Sequence, residues 1–271
     1  MKILVAGDTH GNQGHLRYLI RMANAHDCSR IFVVGDFGYW EHTREGREFL
    51  DEVNHYALNQ AMLVYFCDGN HDKTSLLVDK YQEVSDHEGF LKVRDFIRYA
   101  SRGHRWDWGG LRFIALGGAY SIDKGWRLAM EKQHPGKYPL ESLWFPEEEM
   151  SDEDMDAILK DTSPVDIIMA HDMPRGSDPG WGRDSPQECH HNQDRLARAV
   201  RVLDPKLYFH GHLHYPYRFD LWHVHEITRD MHVTKVIGLD CDGNAGEDKM
   251  KSWIIFDTEE VASAKQEVSA S

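Results

Sequence analysis

Several things are scarce in this 271-residue chain, and each scarcity removes a class of protein. No stretch approaches the roughly 18 consecutive apolar residues of a membrane-spanning helix. The opening MKILVAGDTHG turns polar too soon for a secretory leader, so a soluble, cytoplasmic protein without membrane contact is expected. Four cysteines occur, Cys28, Cys67, Cys189 and Cys241, widely spaced and never as CxxC. That spacing argues against a disulfide framework or zinc ribbon and for reduced thiols packed as small hydrophobes. Positive charge is also short: 31 Lys and Arg face 45 Asp and Glu, a formal net charge of -14. Such a balance repels a polyanion, so no extended nucleic-acid surface is expected. A small nucleotide or phosphate ester remains compatible, because bound divalent cations reverse the potential inside one cleft.

What is present is a set of five short apolar runs: KILVAG before Asp8, RIFVVG before Asp36, AMLVYFCDG before Asn70, VDIIMA before His171 and KLYFHG before His212. Continuous runs of this kind, separated by helical patterns, suit strands of a central sheet covered on both faces. Between them, HLRYLIRMANAH places Leu16, Leu19, Ile20 and Ala23 on one helical face. Further helices are expected over 44–58, 73–81 and 192–203, the last opening on Asn192 as N-cap, and from Ser151 in SDEDMDAILKD. The segments FLKVRDFIRYA, GHRWDWGGLRFIALGG, HVHEI, TKVIGLDCDG and KSWIIFDT read as shorter strands of a second sheet. One domain is expected over 1–258, with a loop or cap insertion near 117–146 that shows no periodicity, and a frayed polar tail over 259–271.

Every one of the five runs ends in a carboxylate, amide or imidazole, so several strand ends deliver polar groups to one sheet edge, where α/β proteins bind ligands. The groups are Asp8 and His10 in GDTHG, Asp36 in GDF, Asn70 and His71 in GNHD, His171 in AHD, and His212 with His214 in GHLH. Alternation along an extended chain would turn Asp8 and His10, and likewise His212 and His214, toward one point. Glycines at 7, 35, 69 and 211 precede these residues and would permit tight turns. Imidazole, carboxylate and amide donors without thiolate suit Mn, Fe, Zn, Ni or Co and not a closed structural zinc site.

In that order, DxH, GD, GNHD, a later His and GHxH resemble the motifs of the calcineurin-like metallophosphoesterase family, over Asp8 to His214. The resemblance implies an α/β fold in which a two-sheet β-sandwich is flanked by helices, four layers in all. It also implies two divalent or mixed-valence metal ions, Mn2+ foremost. It assigns Asp8, His10 and His214 to one metal, Asn70, His171 and His212 to the other, and Asp36 to both. Two cations held about 3.5 to 4 Å apart would share one water as nucleophile. His71 would be the acid or transition-state stabiliser near the leaving oxygen, with Asp72 orienting its ring. Protein phosphatases of the family typically extend GD with Asp-Arg-Gly and carry GNHE; GDFGYW and GNHD depart from both. The resemblance therefore favours a hydrolase of small phosphodiesters, nucleoside 2',3'- or 3',5'-cyclic phosphates above all. A phosphomonoesterase or protein phosphatase and a non-catalytic scaffold of the same fold are the alternatives. Around the centre, Tyr39 and Trp40 could stack on a nucleobase, and Lys124 or Arg127 could hold a phosphate. His42, His190 and His191 are further cleft candidates. Oligomeric state is not legible.

Overall fold

The computed structural model describes residues 1–182, 184–242 and 251–269. The strands are β1 (Lys2–Ala6), β2 (Arg30–Val34), β3 (Leu63–Cys67), β4 (Leu91–Arg94), β5 (Ile97–Tyr99), β6 (Arg105–Trp108), β7 (Leu111–Leu116), β8 (Ile167–Ala170), β9 (Leu207–His210), β10 (Tyr217–Val224), β11 (Met231–Gly238) and β12 (Trp253–Asp257). The helices are α1 (Gln13–Ala25), α2 (Arg44–Asn59), α3 (Thr74–Tyr81), α4 (Lys124–Gln133), α5 (Asp152–Ile158), α6 (His190–Leu203) and α7 (Thr258–Ser269). The strands form two six-stranded mixed sheets, ordered β12-β1-β2-β3-β5-β4 and β10-β11-β9-β8-β7-β6.

Strand alternation sorts the core into layers. Ile3 and Val5 of β1, with Phe32 and Val34 of β2, turn toward the other sheet and meet Phe113, Ala115, Ile167, Met169 and Phe209. Their neighbours Leu4, Ala6, Ile31 and Val33 turn outward onto Leu16, Leu19 and Ile20 of α1 and Leu50 and Val53 of α2. On the far side Ile114, Leu116, Ile168 and Ala170 pack on Leu196, Ala199 and Val200 of α6 and Met155 of α5. The result is the expected helix, sheet, sheet, helix sandwich. Aromatic rings fill its middle: Trp106 lies parallel to Phe32 and Phe113, with centroids 5.6 and 5.4 Å away. No helix among the described residues is long and apolar enough to cross a membrane.

Five expectations need correction. The five apolar runs do not share a sheet: β1, β2 and β3 lie in one, β8 and β9 in the other, while FLKVRDFIRYA and KSWIIFDT join the first. HVHEI supplies only the end of β10. Asn192 is not an N-cap, because α6 begins at His190 and Asn192 is buried inside it, donating to Asp172 Oδ2 (3.0 Å) and to the Gly118 carbonyl (3.3 Å). The insertion over 117–146 contains α4. The tail is helical from Thr258, where Val261 and Ala262 pack on the core between the sheets; of the expected tail, residues 270 and 271 lie outside those described.

Candidate metal centre

Chain direction carries the polar groups together. Strands β1, β2 and β3 run parallel in one sheet and β8 and β9 in the other, so each set releases its following loops at one edge. His171 Nε2 from the second sheet lies 3.0 Å from Asn70 Oδ1 and 3.5 Å from Asp36 Oδ2 of the first. His214 Nε2 lies 2.9 Å from Asp8 Oδ2, and His10 Nε2 lies 3.8 Å from the same oxygen and 3.6 Å from Asp36 Oδ2. Asp8, His10 and His214 each offer a donor atom within 4.8 Å of the others, as do Asp8, Asp36 and His171. The His212 ring stands edge-on to His171, centroids 5.0 Å apart, and its backbone N–H donates to Asp8 Oδ1 at 3.0 Å. The structure thus brings the seven expected residues together, six through the distances between their donor atoms and His212 through its ring against His171.

The convergence does not come from strand pleating. β1 ends at Ala6 and β9 at His210, and the donors follow in turns where His10, Asp36, His212 and His214 have φ of 42°, 46°, 61° and 49°. Left-handed backbone at a non-glycine residue costs on the order of 1–3 kcal/mol and persists where the surroundings over-determine it. Here the Asp36 carbonyl accepts from both Thr9 and His10 N–H, and the Asp36 side chain accepts from His71 N–H at 2.9 Å. The glycines also act differently from expectation. Gly35 has φ +93°, but at Gly69 and Gly211 the missing Cβ makes room: an added one would fall 2.1 Å from Asp36 Oδ1 and 1.9 Å from Asp8 Oδ1.

Three hydrogen bonds aim the donors inward. His10 Nδ1 pairs with Asp242 Oδ1 at 2.9 Å, and His171 Nδ1 donates to the Val34 carbonyl at 3.0 Å, which leaves each Nε2 for the centre. Asn70 Nδ2 donates to Ser121 Oγ at 2.9 Å, which turns Oδ1 inward. Asp242 and Ser121 were not anticipated. Asp242 carried the same mark as the other donors, a polar group just past an apolar run, in TKVIGLDCDG. Ser121 is reached only through tertiary packing.

The electrostatics fit cations. Asp8 and Asp36 are 0% and 1% exposed, and among the basic side chains of the described residues only imidazoles lie within ion-pair distance of their oxygens. Burial pushes both carboxyl pKa values up, yet the imidazoles packed around them outweigh it and hold both below the ordinary range. Reciprocally, His171 is raised to about 10 despite its burial, by Asp36 and Asp8. Two buried carboxylates that call for positive charge, with imidazole and amide donors turned toward them, match a divalent-cation site in donor chemistry.

Beside the centre, Arg127 of α4 reaches His71: its Nη2 lies 2.8 Å from His71 Nε2. A guanidinium only donates, so His71 Nε2 accepts and carries no proton in this arrangement. Burial lowers the His71 pKa, and Arg127 adds to it against Asp36. Asp72 does not orient that ring. Its buried carboxylate accepts from the backbone N–H of Phe37, Gly38, Tyr39 and Gly69, at 2.7 to 3.0 Å, and so clamps the Asp36 loop to the Asn70 loop.

Tyr39 is also corrected, since it is fully buried and donates to Glu41 at 2.8 Å, out of reach of any ligand. Lys124 sits 4.2 Å from the Trp144 ring centroid and lines neither cavity at the site. Arg127 lines both. One, of about 730 Å³, holds His10, Asp36, Asn70, His212 and His214 in its wall. The other, of about 810 Å³, lies under the 117–146 segment and includes Trp40 and His42. His190 bonds the Ser185 carbonyl at 3.0 Å near the rim, and His191 is exposed.

A family model described as calcineurin-like phosphoesterase matches residues 1–216. Among solved structures, the protein TT1561 of Thermus thermophilus superposes with a TM-score of 0.50 at 12% identity, over 89% of each chain. A dimetal phosphatase from Danio rerio superposes with a TM-score of 0.51 at 13% identity, over 89% of this chain and 87% of that one. No curated protein matches the sequence. Identities this low speak for the fold alone, whereas the family match spans most of the chain and contains all seven donors: the protein belongs to the calcineurin-like phosphoesterase family.

Proposed function

We propose that the protein is a metal-dependent phosphodiesterase of small phosphodiesters, with nucleoside 2',3'- or 3',5'-cyclic phosphates as its substrates. The observation that carries this is the gathering of the seven expected donor residues, five of them lining one 730 Å³ cavity together with one guanidinium, Arg127. Two divalent cations, manganese foremost, would supply Lewis acidity and a water of lowered pKa there. Asp8, His10 and His214 would hold one and Asn70, His171 and His212 the other, with Asp36 between them.

The protein's own groups do the rest. Asp242, Val34 and Ser121 fix the donor atoms, so little reorganisation accompanies reaction. Arg127 is the one Lys or Arg among the described residues lining that cavity, and its Nε pairs with Asp123 Oδ1 at 2.8 Å. Its pairing with Asp123 leaves that guanidinium little net charge for a second anionic oxygen, which suits a diester monoanion better than a monoester dianion. With its Nε2 held by Arg127, His71 acts by carrying that guanidinium toward the phosphoryl oxygens, and it becomes an acid only if substrate draws Arg127 away.

The reading is tested by reconstituting the protein with Mn2+ and comparing phosphomonoesters, both cyclic nucleotide classes, linear diesters and single-stranded RNA. Cyclic nucleotides are expected to give the highest kcat/KM. Preference for a monoester would replace the reading by a phosphomonoesterase or protein phosphatase, and a folded protein that binds no metal would replace it by a scaffold.

A further inference from the structure

The 810 Å³ cavity under the cap has no part in holding cations, and its wall is built for something else. Its wall shares His71, Asp123 and Arg127 with that of the 730 Å³ cavity, so a ligand reaching past the guanidinium from the metal centre would enter the cap. Trp40, Trp126 and Tyr138 give it aromatic walls. Trp126 is 61% exposed on α4, with Ile122 and Leu140 also open beside the two cavities, a cluster of apolar surface that water covers poorly. Charge decides what fits. Lys73, Lys137 and Arg127 are balanced by Glu45, Asp123 and Glu141, and two of the pairs are closed: Lys73 Nζ lies 3.2 Å from Glu141 Oε2 and Arg127 Nε 2.8 Å from Asp123 Oδ1. A second anionic group gains little there, whereas a neutral flat ring gains stacking on indole. Ser142 lines the same cavity, and its Oγ is buried without a hydrogen-bond partner in the protein, a cost removed if the side chain turns to a ligand's polar edge.

We infer that the cap cavity is the base subsite of the enzyme, seating the uncharged heteroaromatic ring of a nucleotide-type ester against Trp126 and Trp40, with Ser142 bonding its polar edge while phosphorus lies at the metal centre. The inference rests on the phosphodiesterase reading of that centre. It makes the 117–146 segment, and not the metal ligands, the part of the chain that selects substrate.

Trp126→Ala removes an exposed indole and leaves the core untouched, so the variant folds. Its KM for adenosine 2',3'-cyclic phosphate is expected to rise about 5- to 100-fold, the range one base-aromatic stack covers, with kcat changed less. For glycerol 1,2-cyclic phosphate, the same strained ester without a base, KM should not move. Ser142→Ala should raise the first KM about 3- to 10-fold and leave the second alone. Calorimetric titration with adenosine, which has no phosphate, should show binding to the wild type that weakens in both variants. Equal changes for the two esters, or adenosine binding indifferent to both substitutions, would overturn the base subsite. If the wild type hydrolyses neither ester but adenosine binding still depends on Trp126, the diesterase reading falls and the subsite stands.

Discussion

At the scale of single residues, the centre depends on groups that never touch a cation. Asp242 holds His10 Nδ1 and, through its other oxygen, accepts from Asn12 Nδ2 at 2.8 Å. Asp242→Ala should therefore lower metal affinity and activity by about 10- to 100-fold without unfolding the protein, as read by metal titration and circular dichroism. His71→Ala should keep the metal and lose turnover; comparable activity at equal metal occupancy would sink its place beside Arg127. A residue far from the chemistry gives a pH signature. The Glu41 carboxylate accepts from Tyr39, Tyr81, Arg94 and Lys80, and although burial opposes this, those bonds lower its pKa from 4.5 to about 2. A depressed carboxyl pKa stabilises the fold above the unfolded value and loses that stabilisation as pH falls. Denaturation midpoints should drop between pH 4.5 and about 2, and Glu41→Gln should flatten that part of the profile.

At the scale of elements, legibility followed the origin of each element's stability. α1 and α2 hold their places by apolar faces, Leu16, Leu19 and Ile20 in one and Phe49, Leu50 and Val53 in the other, and both were readable from spacing. α4 was not, because its buried residues are Arg127 and Glu131, which are charged. Glu131 fastens the cap by accepting from the backbone N–H of Glu141, Ser142, Leu143 and Trp144, and despite burial these bonds hold its pKa below the usual range. No hydrophobic period records such an arrangement. Glu131→Ala should release the 141–144 stretch of the cap. Amide exchange there is expected to quicken by at least about tenfold while the global unfolding midpoint moves little, since the bonds lost are local. The donors were legible because each follows an apolar run; their left-handed turns were not, since His and Asp carry no sequence mark of positive φ comparable to glycine.

For the whole molecule, the layered sandwich was expected from the family resemblance, while the division of strands between sheets escaped direct reading. A strand buried on both faces looks the same in either sheet, and its partner is set by the crossover that delivers it. The two sheets meet at the donor cluster, so cation binding should be felt globally. At a free metal concentration about 1,000 times Kd, binding to the native state adds about 4 kcal/mol, and chelation should lower the thermal midpoint by several degrees. Scanning calorimetry with and without EDTA checks this; an unchanged midpoint would mean that metal is not taken up. The core between the sheets supplies an independent scale: Phe113→Ala, beneath Trp106 and against Phe256, should cost about 3–5 kcal/mol whether or not metal is bound.

The four left-handed turns at His10, Asp36, His212 and His214 also bear on ion choice. Donors on backbone so braced have little freedom to shift, so a cation held there would meet a cage of set radius. Discrimination by ionic size would then be a property of main-chain geometry, set when the chain folds, and the pecking order among metals would persist even when individual donor side chains are exchanged for chemically similar ones.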